Sequence, residues 1–410
     1  MQARKNLFLL SAGHFVVDAF AGFFPMLIAM RDLDLVKAGL IVTSGNMVSN
    51  LLQPVFGMMA DRFRRGRLLF TGMVLGPLFM SLIGLTGDYA VLAFFVITGK
   101  CMISLYHPGA TDMATLCAVE GRSPFRFSVF SFVGTAGFAF TGVYFQSFCN
   151  NFGLHRSYLM ALPALLLALF IRGALPETPV SSRPLFLRGF LSALRQNRKA
   201  ITVLYFLIVI QSSLQVVLVY ALPALYRQWG FREGLWAIPH LLFTSAGAIS
   251  VIVFGYLTKR FGPGRLIVGS MLADIPLWFL FLTTGMQGSP YSFLFVTLLG
   301  LSNFAALPAM VVLGQKKLPG FGATVSGILM GAAWGLAGIA PFLVSAFSEW
   351  VDWDLPGSGL VPGMLFMGGL PLVAILIWLL AGEREVTSPP GHKSRAGPPL
   401  RTPRRGGEGS

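Results

Sequence analysis

Four ionisable side chains stand inside the first and fourth long apolar runs: His14 and Asp18 in the first, Lys100 and His107 in the fourth. Charge at such depth is expensive and is usually kept for what it does. Asp18 lies about twelve residues, or ~18 Å, into its run, and Lys100 about eleven residues, or ~17 Å, into a run that crosses the other way. Both depths fall near the middle of a hydrocarbon layer about 30 Å thick. At equal depth the two could pair, which would offset the burial of either charge. His14 precedes Asp18 by four residues and shares its helix face. His107 follows Lys100 by seven residues and returns to a similar face. Imidazoles titrate near neutral pH, so a His–Asp–His set along one path has the chemistry of a proton relay. An Asp18–Lys100 pair has that of a switch, opened by a proton or by an anionic substrate group. A packing histidine and a static ion pair are the competing structural readings.

Other chemistries find no residues to carry them. The chain has no Gly-rich phosphate loop, no nucleophile beside a base and no His/Cys/Asp/Glu cluster at metal-ligand spacing. Cys101, Cys117 and Cys149 lie in or near apolar segments and read as single buried thiols. No catalytic residue, metal or cofactor is therefore expected.

The elements that position these groups follow from composition. Of 410 residues, 55% are hydrophobic and only 11% charged, against about 25% charged in a soluble domain. Apolar runs of about 20 residues between short polar breaks are membrane helices, because lipid forces the backbone to satisfy itself. Twelve spans are expected, at 6–30, 38–60, 68–86, 89–116, 126–149, 157–176, 200–226, 234–258, 265–286, 290–313, 323–348 and 361–381. The first run is longer than the apolar core of a removable leader and carries His14 and Asp18, so it is read as span one. A net charge of +15 would suit nucleic acid, but no soluble segment is long enough to form such a module. The basic residues instead alternate between loops. Arg4, Lys5, Arg62, Arg64, Arg65, Arg67, Arg122, Arg126, Lys259, Arg260, Arg265, Lys316 and Lys317 fall on one side. The opposite loops hold only Arg31, Lys37, Arg156, Arg227 and Arg232. The basic side is expected to be cytoplasmic, with both termini on it. A linker at 177–199 joins residues 1–176 to 200–381, and its part from 187 reads as a basic amphipathic helix on the membrane surface. Residues 382–410, rich in Pro, Gly, Ser and Arg, read as a disordered tail.

The two halves repeat at an offset of about 200 residues. Residues 57–67, with Gly57, Asp61, Arg62, Arg65, Gly66 and Arg67, match 255–265, with Gly255, Lys259, Arg260, Gly264 and Arg265. Pro25 matches Pro223, and Pro108 matches Pro308. Glycines 134, 137 and 142 of span five match 327, 331, 335 and 338 of span eleven. Two parallel six-helix bundles about an axis along the membrane normal produce this pattern. Small residues at four-residue spacing mark span eleven as a packing face against span two or eight. Pro108 is expected to kink or interrupt span four.

On these residues the chain resembles the major facilitator superfamily, and 57–67 is similar to that family's signature between spans two and three. More narrowly, 13–18 (Gly13, His14, Asp18), 52–54 (Gln53, Pro54) and 107–110 (His107, Pro108, Gly109) resemble the fosmidomycin-resistance branch. It departs from that branch at Val17 and Gly109. The resemblance implies proton-coupled efflux of a small organic compound, a bacterial inner membrane and a central cavity lined by spans one, four, seven and ten. Gln211, Gln215 and Tyr220 in span seven and Asn303 in span ten then become polar cavity contacts. Asp274, in a peripheral span nine, and His240 are read as structural. Gly57 would let span two approach a neighbour, Asp61 would cap span eleven near Thr324, and Arg62 and Arg65 would meet Asp112 or Glu120. Together these form a cytoplasmic latch, weakened in the second half where Lys259 replaces the acid. Uptake of an organic anion held by Lys100, and a transporter-like sensor or assembly protein, are the alternatives. Protons, lipid and a small substrate are the expected partners of a monomer.

Overall fold

The computed structural model describes residues 2–62, 65–120, 124–174, 187–318, 321, 325, 327–351 and 358–387. The expected linker residues 177–186 and the tail beyond 387 lie outside that set, as do Arg64, Arg122 and Thr324. All regular structure among the described residues is helical. Among the described residues, twelve segments are long and apolar enough to cross a membrane: Lys5–Arg31, Leu35–Gln53, Gly66–Leu85, Tyr89–Thr111, Val129–Phe152, Leu154–Arg172, Arg198–Gln228, Glu233–Thr258, Pro263–Met286, Tyr291–Lys317, Ile328–Val351 and Val361–Ala381. They are spans one to twelve in chain order, and they pack as two six-helix bundles. In the first bundle span four lies against spans two and three, and span five against span one. In the second, span ten lies against spans eight and nine. The last span begins and ends at 361 and 381, where its hydropathy placed it.

Proline interrupts some spans and not others. Span one is helical over Gln2–Ala19 and again over Phe23–Arg31, with Pro25 in the first turn of the second piece. The joint is a tight turn, held by Ala21 N–H to Asp18 O at 3.0 Å and Phe23 N–H to Phe20 O at 3.3 Å. Span ten breaks between Asn303 and Leu307, with Pro308 in the first turn that follows. Proline in a first turn loses no bond, because that N–H has no intrahelical partner. Their counterparts behave differently. The helix Arg198–Gln228 runs through Pro223, and the helix Tyr89–Glu120 runs through Pro108. Of the two outcomes expected at Pro108, a kink or an interruption, the interruption does not occur. Pro108 leaves the Ser104 carbonyl, four residues back, without its helical donor.

The chain beyond the last span also differs from expectation at its start. Glu383–Thr387 is a short helix with Val386 fully buried. Its Glu383 carboxylate lies against Gly264, where any Cβ would collide with it. The contact ties the end of span twelve to the start of span nine.

Among the described residues, bonds between the two bundles gather at the end opposite the basic loops. Tyr220 Oη donates to Leu35 O at 2.6 Å and meets Ser345 Oγ at 2.8 Å. Phe342 N–H donates to Thr43 Oγ1 at 3.3 Å. Gln146 donates to Glu233 O, and Arg227 pairs with Asp32. That guanidinium holds the Asp32 carboxyl below the usual carboxylate range. Span eleven lies against span two: a Cβ on Gly338 would sit 2.8 Å from Asn46 Cβ, and one on Gly335 3.6 Å from Asn50 Cβ. Of the two neighbours expected for the small-residue face, span two is the one it meets.

Candidate functional site

Below this closed end lies a cavity of about 420 Å³ shared by both bundles. Asp18, Asn46, Lys100 and His107 line it from the first bundle, and Gln215 and Tyr220 from the second. The volume suits a small organic molecule.

Three of the sequence candidates meet. His14 Nε2 lies 3.2 Å from Asp18 Oδ2, and His107 Nε2 lies 3.1 Å from Asp18 Oδ1. Four-residue spacing aligns His14 with Asp18 on span one, and span four brings His107 to the free oxygen. Each imidazole is fixed from behind. His14 Nδ1 faces Phe130 O at 3.1 Å, and His107 Nδ1 faces Ile103 O at 2.8 Å. A carbonyl can only accept, so both Nδ1 atoms carry hydrogen and the neutral rings present lone pairs at Nε2. Span five closes on this group: a Cβ on Gly134 would collide with the His14 ring, and Phe130 stacks on that ring with centroids 4.3 Å apart. Tyr106 Oη, nearby, donates to Leu10 O at 2.8 Å.

The tautomers determine what this triad can do. Two Nε2 lone pairs facing a carboxylate repel it, so each His–Asp contact needs a bridging proton. With Asp18 ionised and both rings neutral the set carries one negative charge. One added proton makes it neutral, and a second makes it positive. The three donor atoms also lie within 4.8 Å of one another, close enough to hold a metal ion. Sequence spacing hid this compactness because the ligands come from two spans. The direct 3.1–3.2 Å N···O contacts are hydrogen-bond lengths, which fit a shared proton.

Lys100 does not join the triad. Its Nζ donates to Asn46 Oδ1 at 2.6 Å, and no acidic side chain among the described residues pairs with it. The expected Asp18–Lys100 pair is corrected: equal depth fixed their height but not the direction each faces. Gly45 makes room for the lysine stem, since a Cβ there would lie 2.8 Å from Lys100 Cδ. The acceptor belongs to a stripe that sequence reasoning passed over. Asn46, Ser49, Asn50 and Gln53 repeat at helical spacing along one face of span two, and all four line the cavity. Their spacing was the available signal.

The second-bundle candidates divide. Gln215 lines the cavity. Gln211 and Asn303 turn instead to Asp274, donating to its Oδ2 at 2.9 and 3.2 Å. His240 is buried, edge-on to Phe138 of the other bundle at 5.1 Å. At the basic end, a Cβ on Gly57 would meet no described atom within 4 Å. The side chains of Asp61, Arg62, Arg65, Asp112 and Glu120 lie outside the described residues.

Comparison with known proteins agrees with this architecture. The chain matches the family model described as Major Facilitator Superfamily over residues 7–340. It is 23% identical over 378 residues to an uncharacterized MFS-type transporter, YfnC, of Bacillus subtilis (strain 168), covering 88% of each chain. It is 23% identical over 343 residues to the fosmidomycin resistance protein of Escherichia coli (strain K12), covering 81% of this chain and 82% of that relative. Among solved structures, the nucleoside transporter NupG superposes with a TM-score of 0.75 at 13% identity, covering 92% of this chain and 98% of the other. A bacterial homologue of the human lysosomal transporter Spinster, inward-facing and occupied, superposes with a TM-score of 0.72 at 16% identity. It covers 92% of this chain and 96% of the other. At these identities the structural likeness establishes the fold.

Proposed function

Because the chain belongs to the major facilitator superfamily and is a secondary transporter, we propose that it exports a small organic compound in exchange for protons. The observation that carries this reading is the His14–Asp18–His107 triad, whose fixed tautomers require bridging protons. Asp18 and His107 line the cavity, and Asp18 lies immediately before the joint of span one. Gain or loss of a proton changes the triad's charge next to a point where the helix can bend. That is the coupling a two-state transporter needs, because an ion shifts an equilibrium only by binding its two states differently.

In this reading the basic loops face the cytoplasm, both termini lie there, and the described conformation is closed outside and open inside. The bacterial relatives favour the cell inner membrane, with the monomer as working unit. Asp61, Arg62, Arg65 and Asp112 form the inner latch of the opposite state. Asp61→Asn is then expressed normally but transports slowly, and wild-type rates in that variant would remove the latch.

One observation favours a second reading. Lys100 offers the cavity a cation with no acidic partner among the described residues, which suits uptake of an organic anion with protons. Inside-out vesicles separate the two. With fosmidomycin tried first, after the Escherichia coli relative, exchange dissipates an imposed proton gradient when substrate is added. Right-side-out vesicles that accumulate an anion under an inward proton gradient would favour symport. Transport insensitive to the proton gradient in both preparations would overturn both readings.

A further inference from the structure

A second buried polar cluster lies in the C-terminal bundle, away from the triad. Asp274 of span nine is 0% exposed. It accepts from Gln211 Nε2 at 2.9 Å, from Asn303 Nδ2 at 3.2 Å and from Ser302 Oγ. These partners are neutral donors, so the ionised carboxylate is an uncompensated charge inside an apolar bundle, where such charge is costly.

The rest of the cluster is unbalanced in the same sense. The side-chain oxygens of Gln211, Gln215 and Asn303 are buried and bond to nothing among the described residues, and each of these residues is only 1% exposed. The main-chain oxygen of Asn303 is approached by Gln211 Nε2 at 2.7 Å and Gln215 Nε2 at 3.5 Å. It stands at the C-terminal end of the half-helix Tyr291–Asn303, where span ten is broken. Carbonyls at such breaks coordinate monovalent cations in other membrane transporters. One carboxylate, one hydroxyl, three idle amide oxygens and a helix-end carbonyl thus gather among three spans. Hard oxygen donors without nitrogen or sulfur suit a hard cation, and one negative charge balances a single positive one.

We propose that the cluster of Asp274, Gln211, Ser302 and Asn303 is a binding site for a monovalent cation of sodium size. Half-turns of the Gln211 and Asn303 amides exchange nitrogen for oxygen and direct the idle acceptors at the ion. Gln215 provides the access route, because it lines the central cavity and also reaches Asn303 O. The bound ion ties spans seven, nine and ten together across the break at 304–306, so the cavity senses its presence through Phe304 and Leu307, which line it on either side.

The test uses purified full-length protein in detergent, with thermal stability followed as sodium chloride replaces choline chloride at constant ionic strength. Sodium is expected to raise the melting temperature saturably, as a ligand of the folded state does. Asp274→Asn abolishes that rise. Ser302→Ala, which keeps the carboxylate, moves half-saturation up by about tenfold, the equivalent of ~1.4 kcal/mol. His14→Asn leaves the sodium response intact, which separates this site from the proton triad. No saturable rise in the wild type overturns the proposal, as does a rise that survives Asp274→Asn. Should Asp274→Asn fail to fold, an unchanged half-saturation in Ser302→Ala overturns it. A wild type indifferent to sodium, beside an Asp274→Asn variant of higher stability, would identify a protonated carboxyl instead.

Discussion

Asp18→Asn separates proton coupling from substrate movement. In the wild type each contact between Asp18 and an imidazole is a charge-assisted hydrogen bond that exists only with a bridging proton. The rings are held as Nδ1–H tautomers by Phe130 O and Ile103 O. Asparagine puts its NH2 at one of the two positions, where it donates to an Nε2 lone pair and closes that contact without an added proton, and its accepting carbonyl oxygen at the other. A hydrogen bond to a charged group contributes about 1.5–3 kcal/mol, so that contact loses ~1.5–3 kcal/mol of proton-dependent bias. That corresponds to about 10- to 150-fold in the equilibrium that protonation shifts. The assay is transport in proteoliposomes containing a pH-sensitive dye, with a substrate identified by thermal-shift screening. Accumulation driven by a pH gradient should fall at least about 10-fold on this arithmetic. Exchange of labelled for unlabelled substrate at equal pH should persist. Gradient-driven accumulation at wild-type level in Asp18→Asn would refute the reasoning, because no other described group supplies the two bridging positions.

Lys100→Ala removes the cation that Asn46 holds in the cavity wall. Affinity for anionic compounds should fall by roughly tenfold or more, the loss of one charged hydrogen bond of about 1.5–3 kcal/mol. Neutral compounds should be spared in the same thermal-shift titration, and equal losses for both classes would count against an anion contact. Gly338→Val places a side chain where a Cβ already lies 2.8 Å from Asn46 Cβ. Overpacking of about 1–3 kcal/mol should open the outer end about 5- to 150-fold, read as faster maleimide labelling of a cysteine introduced at Leu35. Asp32→Asn removes the Arg227 strap, but Asp32 is 75% exposed. The same labelling should rise no more than about fivefold, since an exposed pair contributes at most about 1 kcal/mol. The Asp32 carboxyl is held below its usual range in the folded state. Its contribution is therefore complete above the unfolded carboxylate value and is lost only as pH falls through the lower folded one. Outer-end labelling between pH 5 and 8 should show no inflection that Asp32→Asn removes.

The spans were legible because hydropathy and the alternation of basic loops act through the bilayer, which applies the same constraint to every segment. The pairing of His14 with Asp18 was legible for a local reason, four-residue spacing on one helix. Lys100 was misread because depth is written in residue count, whereas the direction in which a side chain faces depends on how span four turns against span two. The polar stripe from Asn46 to Gln53 was passed over because it carries no charge. Asp274 looked peripheral from its span number alone. Its bonds run inward to Gln211 and Asn303, through tertiary packing that no local pattern records. Pro25 and Pro223 looked equivalent, as did Pro108 and Pro308, because sequence records the missing N–H but not whether neighbours allow the helix to continue.

Those four prolines set a mechanical asymmetry. Of the four spans that carry them, each bundle has one jointed rod and one stiff rod, and the assignments are crossed. Span one is jointed and span four stiff in the first bundle, whereas span seven is stiff and span ten jointed in the second. Each joint abuts an acidic cluster, Asp18 at one and Asp274 with Asn303 at the other. A rod bends where it is jointed, so any torque from a change of charge is delivered at those two points and carried away by the stiff rods beside them. The duplicated halves therefore act as complementary levers rather than as copies.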